Sequence, residues 1–127
     1  MTGQSLKKKI LIVDDDMLAV ALMSKTLVSM GFDVLQGYNG QEALALIKEN
    51  PVDLVILDQM MPKMNGSKAC ALIKQDTRYR HIPVIMFTAS ADEADRKINE
   101  QLGADAFCNK PLDIPVLAQI IQKLLKM

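Results

Sequence analysis

Residues 10–16 read Ile10-Leu11-Ile12-Val13-Asp14-Asp15-Asp16, an apolar run that stops at three acids. From Met17 to Met30 apolar residues then recur at helical spacing, at Leu18, Ala21, Leu22 and Val28, before Gly31. An apolar run without polar alternation fits a strand covered on both faces, and a helical period closed by glycine fits a helix. Together they form one βα unit, and the unit recurs. Val52-Asp53-Leu54-Val55-Ile56-Leu57 and Val84-Ile85-Met86-Phe87 repeat the apolar run, and Asp33 to Gly37 and Ala106 to Asn109 are weaker strands suited to sheet edges. Gln41 to Glu49, Ser67 to Lys74, Asp92 to Leu102 and Ile114 to Lys126 supply the other helices, the last with Ile114, Leu117, Ile121 and Leu124 on one stripe. Right-handed crossovers between parallel strands place helices on both faces, so the expected fold is α/β: a doubly wound five-stranded parallel sheet with five helices in three layers.

The chain has 127 residues, 50% of them hydrophobic, which is enough for one sizeable core and no second domain. The expected division is a polar, basic tail over residues 1–9 and a single domain over 10–127. Fifteen basic residues balance fifteen acidic ones and aromatic residues are scarce, so no direct nucleic-acid contact is expected. No segment has the length of a membrane span or a signal-peptide core, which points to the cytoplasm without membrane insertion. Cys70 and Cys108 lack metal-ligand spacing and read as small buried hydrophobes.

In a doubly wound sheet, ligands bind beyond the carboxyl ends of the strands. Here those ends carry Asp14-Asp15-Asp16, Asp58, Thr88 and Lys110-Pro111. Each has an ordinary structural explanation: the acids as helix caps, Asp58 as a turn residue, Thr88 as the next N-cap, Lys110 as a solvated lysine. Their joint occurrence at four strand ends asks for more. Crowded carboxylates repel and call for a cation, and an all-oxygen donor set suits Mg²⁺ or Mn²⁺ rather than zinc. Mg²⁺ prefers one or two carboxylates plus a phosphate oxygen, which leaves an aspartate, Asp58, free as a nucleophile. Lys110 and Thr88 would neutralise the oxygens that carry charge during phosphoryl transfer.

Asp53-Leu54-Val55-Ile56-Leu57-Asp58-Gln59-Met60-Met61-Pro62-Lys63-Met64-Asn65-Gly66 resembles the phosphoacceptor strand and loop of the receiver domain of bacterial two-component response regulators. The acidic end of the first strand, the run Ile82 to Ala89 and the segment Gly103 to Pro111 resemble that family as well, so the likeness covers nearly the whole chain. It implies a flavodoxin-like fold with Asp58 as the phosphorylated aspartate. Asp15 matches a direct Mg²⁺ (or Mn²⁺) ligand, Asp14 an acid that holds the ion mainly through water, and Met60 a backbone-carbonyl ligand. Thr88 matches the hydroxyl that moves to the phosphoryl group, Ala89 the small residue that leaves it room, Lys110 the ion-pairing lysine, and Pro111 a position that often follows a cis peptide. Phe107 matches a switch position that is more often tyrosine.

The resemblance implies a stand-alone switch that catalyses only its own phosphorylation and dephosphorylation. A sensor histidine kinase or a histidine phosphotransfer protein would be its donor, and an unidentified downstream protein its target. Passing the phosphoryl group onward in a phosphorelay is the alternative. A partner or second copy, giving a homodimer, is expected on the fifth helix, apolar at Ile114, Leu117, Ile120, Ile121, Leu124 and Leu125. An aspartyl phosphatase would want a second aspartate where Met60 stands. A flavin site would want glycines and free N–H groups where the first βα turn is acidic.

Overall fold

The computed structural model describes residues 7–89 and 92–127. Residues 1–6 of the expected tail lie outside them. The elements are β1 (Lys9–Val13), α1 (Met17–Ser29), β2 (Asp33–Gly37), α2 (Gly40–Glu49), β3 (Leu54–Asp58), α3 (Gly66–Gln75), β4 (Val84–Thr88), α4 (Glu93–Gln101), β5 (Ala106–Asn109) and α5 (Ile114–Leu125). All strand pairs are parallel, in the order β2-β1-β3-β4-β5, with the two weaker strands at the edges as their sequences imply.

Alternation along the central strands splits the core into two layers. Ile10, Ile12, Leu54, Ile56, Ile85 and Phe87 pack with α1 and α5, while Leu11, Val13, Val55, Leu57, Val84 and Met86 pack with α2 and α3. Burial on both faces is why these strands lack a polar alternation. β3 begins at Leu54 rather than Val52. Asp53 instead clasps β1, its N–H donating to the Lys9 carbonyl (2.8 Å) and its carboxylate accepting from the Lys9 N–H (2.7 Å). Both cysteines are buried free thiols.

Every helix starts with an Asp or Asn whose side chain accepts from a first-turn N–H: Asp16, Asn39, Asn65, Asp92 and Asp113. Such a cap satisfies a donor the helix cannot, and is worth about 1 kcal/mol. Asp92 caps α4, which frees Thr88 to end β4. Asp16 caps α1, so the third acid of the opening run is the helix cap and the first two are not.

On two helices the structure decides which of the apolar residues are buried. The α1 residues Leu18 and Leu22 are 67% and 57% exposed, and Ala21 and Val28 also face solvent. The buried face is Val20, Met23, Ser24 and Leu27. Apolar residues run around most of this helix, so periodicity admits two stripes and the position of the sheet selects one. On α5, Leu117 and Ile121 are buried and Ile120, Leu124 and Leu125 pack against the same core layer, so only Ile114 of the expected partner surface faces out. No helix among the described residues is long and apolar enough to cross a membrane.

The buried face of α1 predicts that Leu27→Ala costs about 2–5 kcal/mol, as for a filled core site. Leu22→Ala should stay within about 0.5 kcal/mol of the parent. Urea unfolding of both variants checks this, and equal losses would refute it.

Candidate functional site

The strand register brings the polar ends level: Val13 pairs with Leu57, Asp58 with Phe87, and Thr88 with Asn109. Asp14 follows β1, Asp58 ends β3, Thr88 ends β4, and Lys110 follows β5. Ligand oxygens of Asp14, Asp15 and Asp58 lie within 4.8 Å of one another. Asp14 and Asp58 are buried, and Asp15 is exposed. The Asp14 carboxylate is fixed by the Asp16 N–H (2.9 Å) and by the Lys110 ammonium (2.8 Å). The same ammonium stands 3.4 Å from Asp58 Oδ1 and 5.5 Å from the centre of the Phe87 ring. The Lys110–Pro111 peptide is cis.

Burial pushes the Asp58 carboxyl up to about 6, the charge on Asp14 adds to the rise, and Lys110 opposes it. Burial works against the charge on Lys110, but the hydrogen bond to Asp14 and the charges of Asp58 and Asp14 outweigh it and raise its pKa. One lysine therefore leaves the carboxylate cluster under-neutralised. A hard divalent cation suits this site: the donors are all oxygens, and the unbalanced negative charge is what such an ion relieves.

The loop after β3 is held by close backbone contacts. Gly66 N–H donates to the Gln59 carbonyl (2.9 Å), and a Cβ at Gly66 would stand 2.1 Å from the Asp58 carbonyl oxygen, so no larger residue fits without displacing the end of β3. Gly40 N–H donates to the Met64 carbonyl (3.0 Å), tying the loop to α2. The Met60 side chain is 74% exposed. Ala89 is exposed immediately after the buried Thr88.

Thr88 and Phe107 line one cleft of about 260 Å³ beside Asp58, together with Gln59, Asp92, Asp95, Arg96, Asn99 and Asn109. Sequence reading did not single out Gln59, Arg96 or Asn99. Gln59 carries no local signal beyond its place after Asp58, and tertiary packing alone brings the two α4 residues here.

Residues 10–122 match the family described as the response regulator receiver domain. The chain is 33% identical to the polar-differentiation response regulator DivK of Brucella anthropi over 118 residues, 93% of this chain and 96% of that one. It is 41% identical over 118 residues to the transcriptional regulatory protein CpxR of Klebsiella pneumoniae, covering 93% of this chain and 49% of the relative. The chain thus spans about half the length of the transcriptional regulators it matches. Among solved structures, chemotaxis protein CheY4 of Vibrio cholerae superposes with a TM-score of 0.88 at 27% identity, over 93% of this chain and 98% of that one.

The raised Asp58 carboxyl fixes a pH dependence for the metal-free protein. Its folded value of about 6 lies above the reference of 3.8, so the folded state holds the Asp58 proton more tightly. Asp58 therefore subtracts stability as pH rises through that window, and the loss, about 3 kcal/mol, is complete above the folded value. In EDTA, Asp58→Asn should be more stable than wild type at pH 7.5, and the gap should shrink towards pH 4.5. Urea titrations at both pH values check this, and a gap independent of pH would refute it.

Proposed function

Because the chain belongs to the response regulator receiver domain family, we propose that it accepts a phosphoryl group on Asp58 from a phosphohistidine donor and converts that modification into a changed protein-binding surface. The observation that carries the reading is the convergence of Asp14, Asp15, Asp58 and Lys110 at the carboxyl ends of β1, β3 and β5.

The chemistry is a displacement at phosphorus. An Asp58 carboxylate oxygen forms the new O–P bond as the N–P bond of the donor breaks, and the donor imidazole leaves with the electron pair and takes up a proton. A phosphorelay would run the same exchange in reverse towards a histidine phosphotransfer protein. Asp58 must be ionised to attack, and Lys110, 3.4 Å from its oxygen, favours that form and stands ready to pair with a phosphoryl oxygen. Receiver domains generally bind Mg²⁺ at such an acidic pocket; held here by Asp14, Asp15, Asp58 and the Met60 carbonyl, it would supply neutralisation of carboxylate and phosphoryl charge. Thr88 has its hydroxyl one strand away, on β4, and moves towards the new anionic oxygens. Ala89 leaves that path open, and Phe107 turns into the space Thr88 vacates. The protein modifies itself and turns over no other substrate.

The exposed α1 stripe suits the donor. Met17, Leu18 and Leu22 are 72%, 67% and 57% exposed and begin one residue after the acidic run, so a helix seated on them brings its phosphohistidine to the carboxylates. Ile114 at the start of α5 adds a further exposed apolar residue beyond β5.

Acetyl phosphate with Mg²⁺ should label the protein once, EDTA or Asp58→Asn should abolish labelling, and Asp15→Asn should slow it by about tenfold or more. Intact-mass spectrometry reads all three, and labelling that survives Asp58→Asn would overturn the assignment. In a phosphotransfer profile across purified histidine kinases, the kinase fastest on wild type should slow on a Leu18→Asp, Leu22→Asp double variant while acetyl phosphate labelling holds. Equal kinase rates would remove α1 as the docking face.

A further inference from the structure

Helix α4 sits on the domain differently from its neighbours. Its only buried residue is Asn99, whose Oδ1 accepts from Ser67 Oγ on α3 at 2.7 Å, while Ile98 faces solvent. A helix without an apolar anchor derives its placement from polar contacts, which exchange partners at small cost. One of those contacts reaches the switch position: the Arg96 guanidinium lies 4.9 Å over the centre of the half-buried Phe107 ring. The same ring packs on the core layer and lines a cleft that reaches Thr88. At about 260 Å³ it exceeds the roughly 150 Å³ that admits a benzene molecule. The present arrangement also carries an uncompensated polar atom, since Gln59 Oε1, in the wall of the same cleft, is buried without a hydrogen-bond partner. A resting state with a cleft beside Thr88, an unsatisfied acceptor and a cation stacked on the ring that would fill the cleft is poised between two arrangements.

We propose that Arg96 is a latch on Phe107, stabilising the outward ring and thereby setting how readily Asp58 is phosphorylated. The inference rests on the reading that phosphorylation at Asp58 draws Thr88 inward and lets Phe107 follow. A contact made only in the outward state weakens every ligand that favours the inward state, by the same factor that the ligand weakens the contact. Phe107 makes the latch effective because its ring has no hydroxyl to hydrogen-bond outside, so stacking on Arg96 becomes a specific force on its outward position. Asp92 and Asp95 face the same cleft, so the test variants must separate the cation from the rest of the α4 surface.

The experiment measures beryllofluoride affinity in saturating Mg²⁺ for wild type, Arg96→Met and Arg96→Lys, with fluorine-labelled phenylalanine reporting the ring. The Phe107 signal is assigned by its loss in Phe107→Leu. Thermal melts confirm that each variant is folded. Arg96→Met should bind beryllofluoride about two- to fivefold more tightly, the factor expected of an exposed cation over a ring, and shift the ligand-free Phe107 signal towards its bound position. Arg96→Lys, which keeps a cation near the ring, should stay closer to wild type. If the wild-type ring signal moves on binding while Arg96→Met has wild-type affinity, the latch is wrong and the switch stands. If the wild-type Phe107 signal does not move at full occupancy, the switch reading fails and the latch fails with it.

Discussion

Burying two carboxylates and placing a third beside them, at the edge of an apolar sheet, is the constraint on which this molecule is organised. Asp14 and Asp58 are each less than a tenth exposed and share one lysine, so neither is fully neutralised. Isolated charges in that setting would protonate or drive the edge open. The fold resists with rigid attachments: the Asp16 N–H on Asp14, the Gly66 backbone packed on the Asp58 carbonyl, and the Lys110 ammonium braced between two strands. The same tension suits the pocket to a hard cation, whose charge would relieve it.

Much of this was legible in the sequence because the signals were redundant. The apolar runs of β1, β3 and β4 have no polar alternation, which only a sheet covered on both sides explains, and the residues that end them carry the chemistry. Asp14, Asp15, Asp58 and Lys110 can be brought together from the sequence alone, since a parallel sheet carries its strand ends to one edge. The α1 face was not legible. With Leu18, Ala21, Leu22 and Val28 competing against Val20, Met23 and Leu27, the chain offers two apolar stripes, and the choice is made by the neighbouring strands. The α5 residues failed in the opposite sense: a set wide enough to suggest a surface proved to be the width that one helix needs to cover the sheet.

Helix α4 shows the limit of pattern reading. Its sequence, Glu93 to Gln101, is polar almost throughout, and nothing in it says that Asn99 turns inward or that Arg96 covers an aromatic ring. Those contacts depend on α3 and β5, which lie outside any local window. The element least determined by hydrophobic pattern is the one that lines the cleft with Thr88 and Phe107, which suits the proposed switch.

The exposed apolar stripe of α1 contributes little to the stability of the domain, since the helix is held by its opposite face. Stability and the proposed recognition surface therefore lie on different sides of one helix. Substitutions at Leu18 or Leu22 are free to accumulate without unfolding the domain or disturbing the carboxylates, so a duplicated copy of such a gene can drift to a new signalling partner in few steps. Insulation between parallel pathways then becomes a matter of surface lettering, written on a scaffold whose chemistry stays fixed.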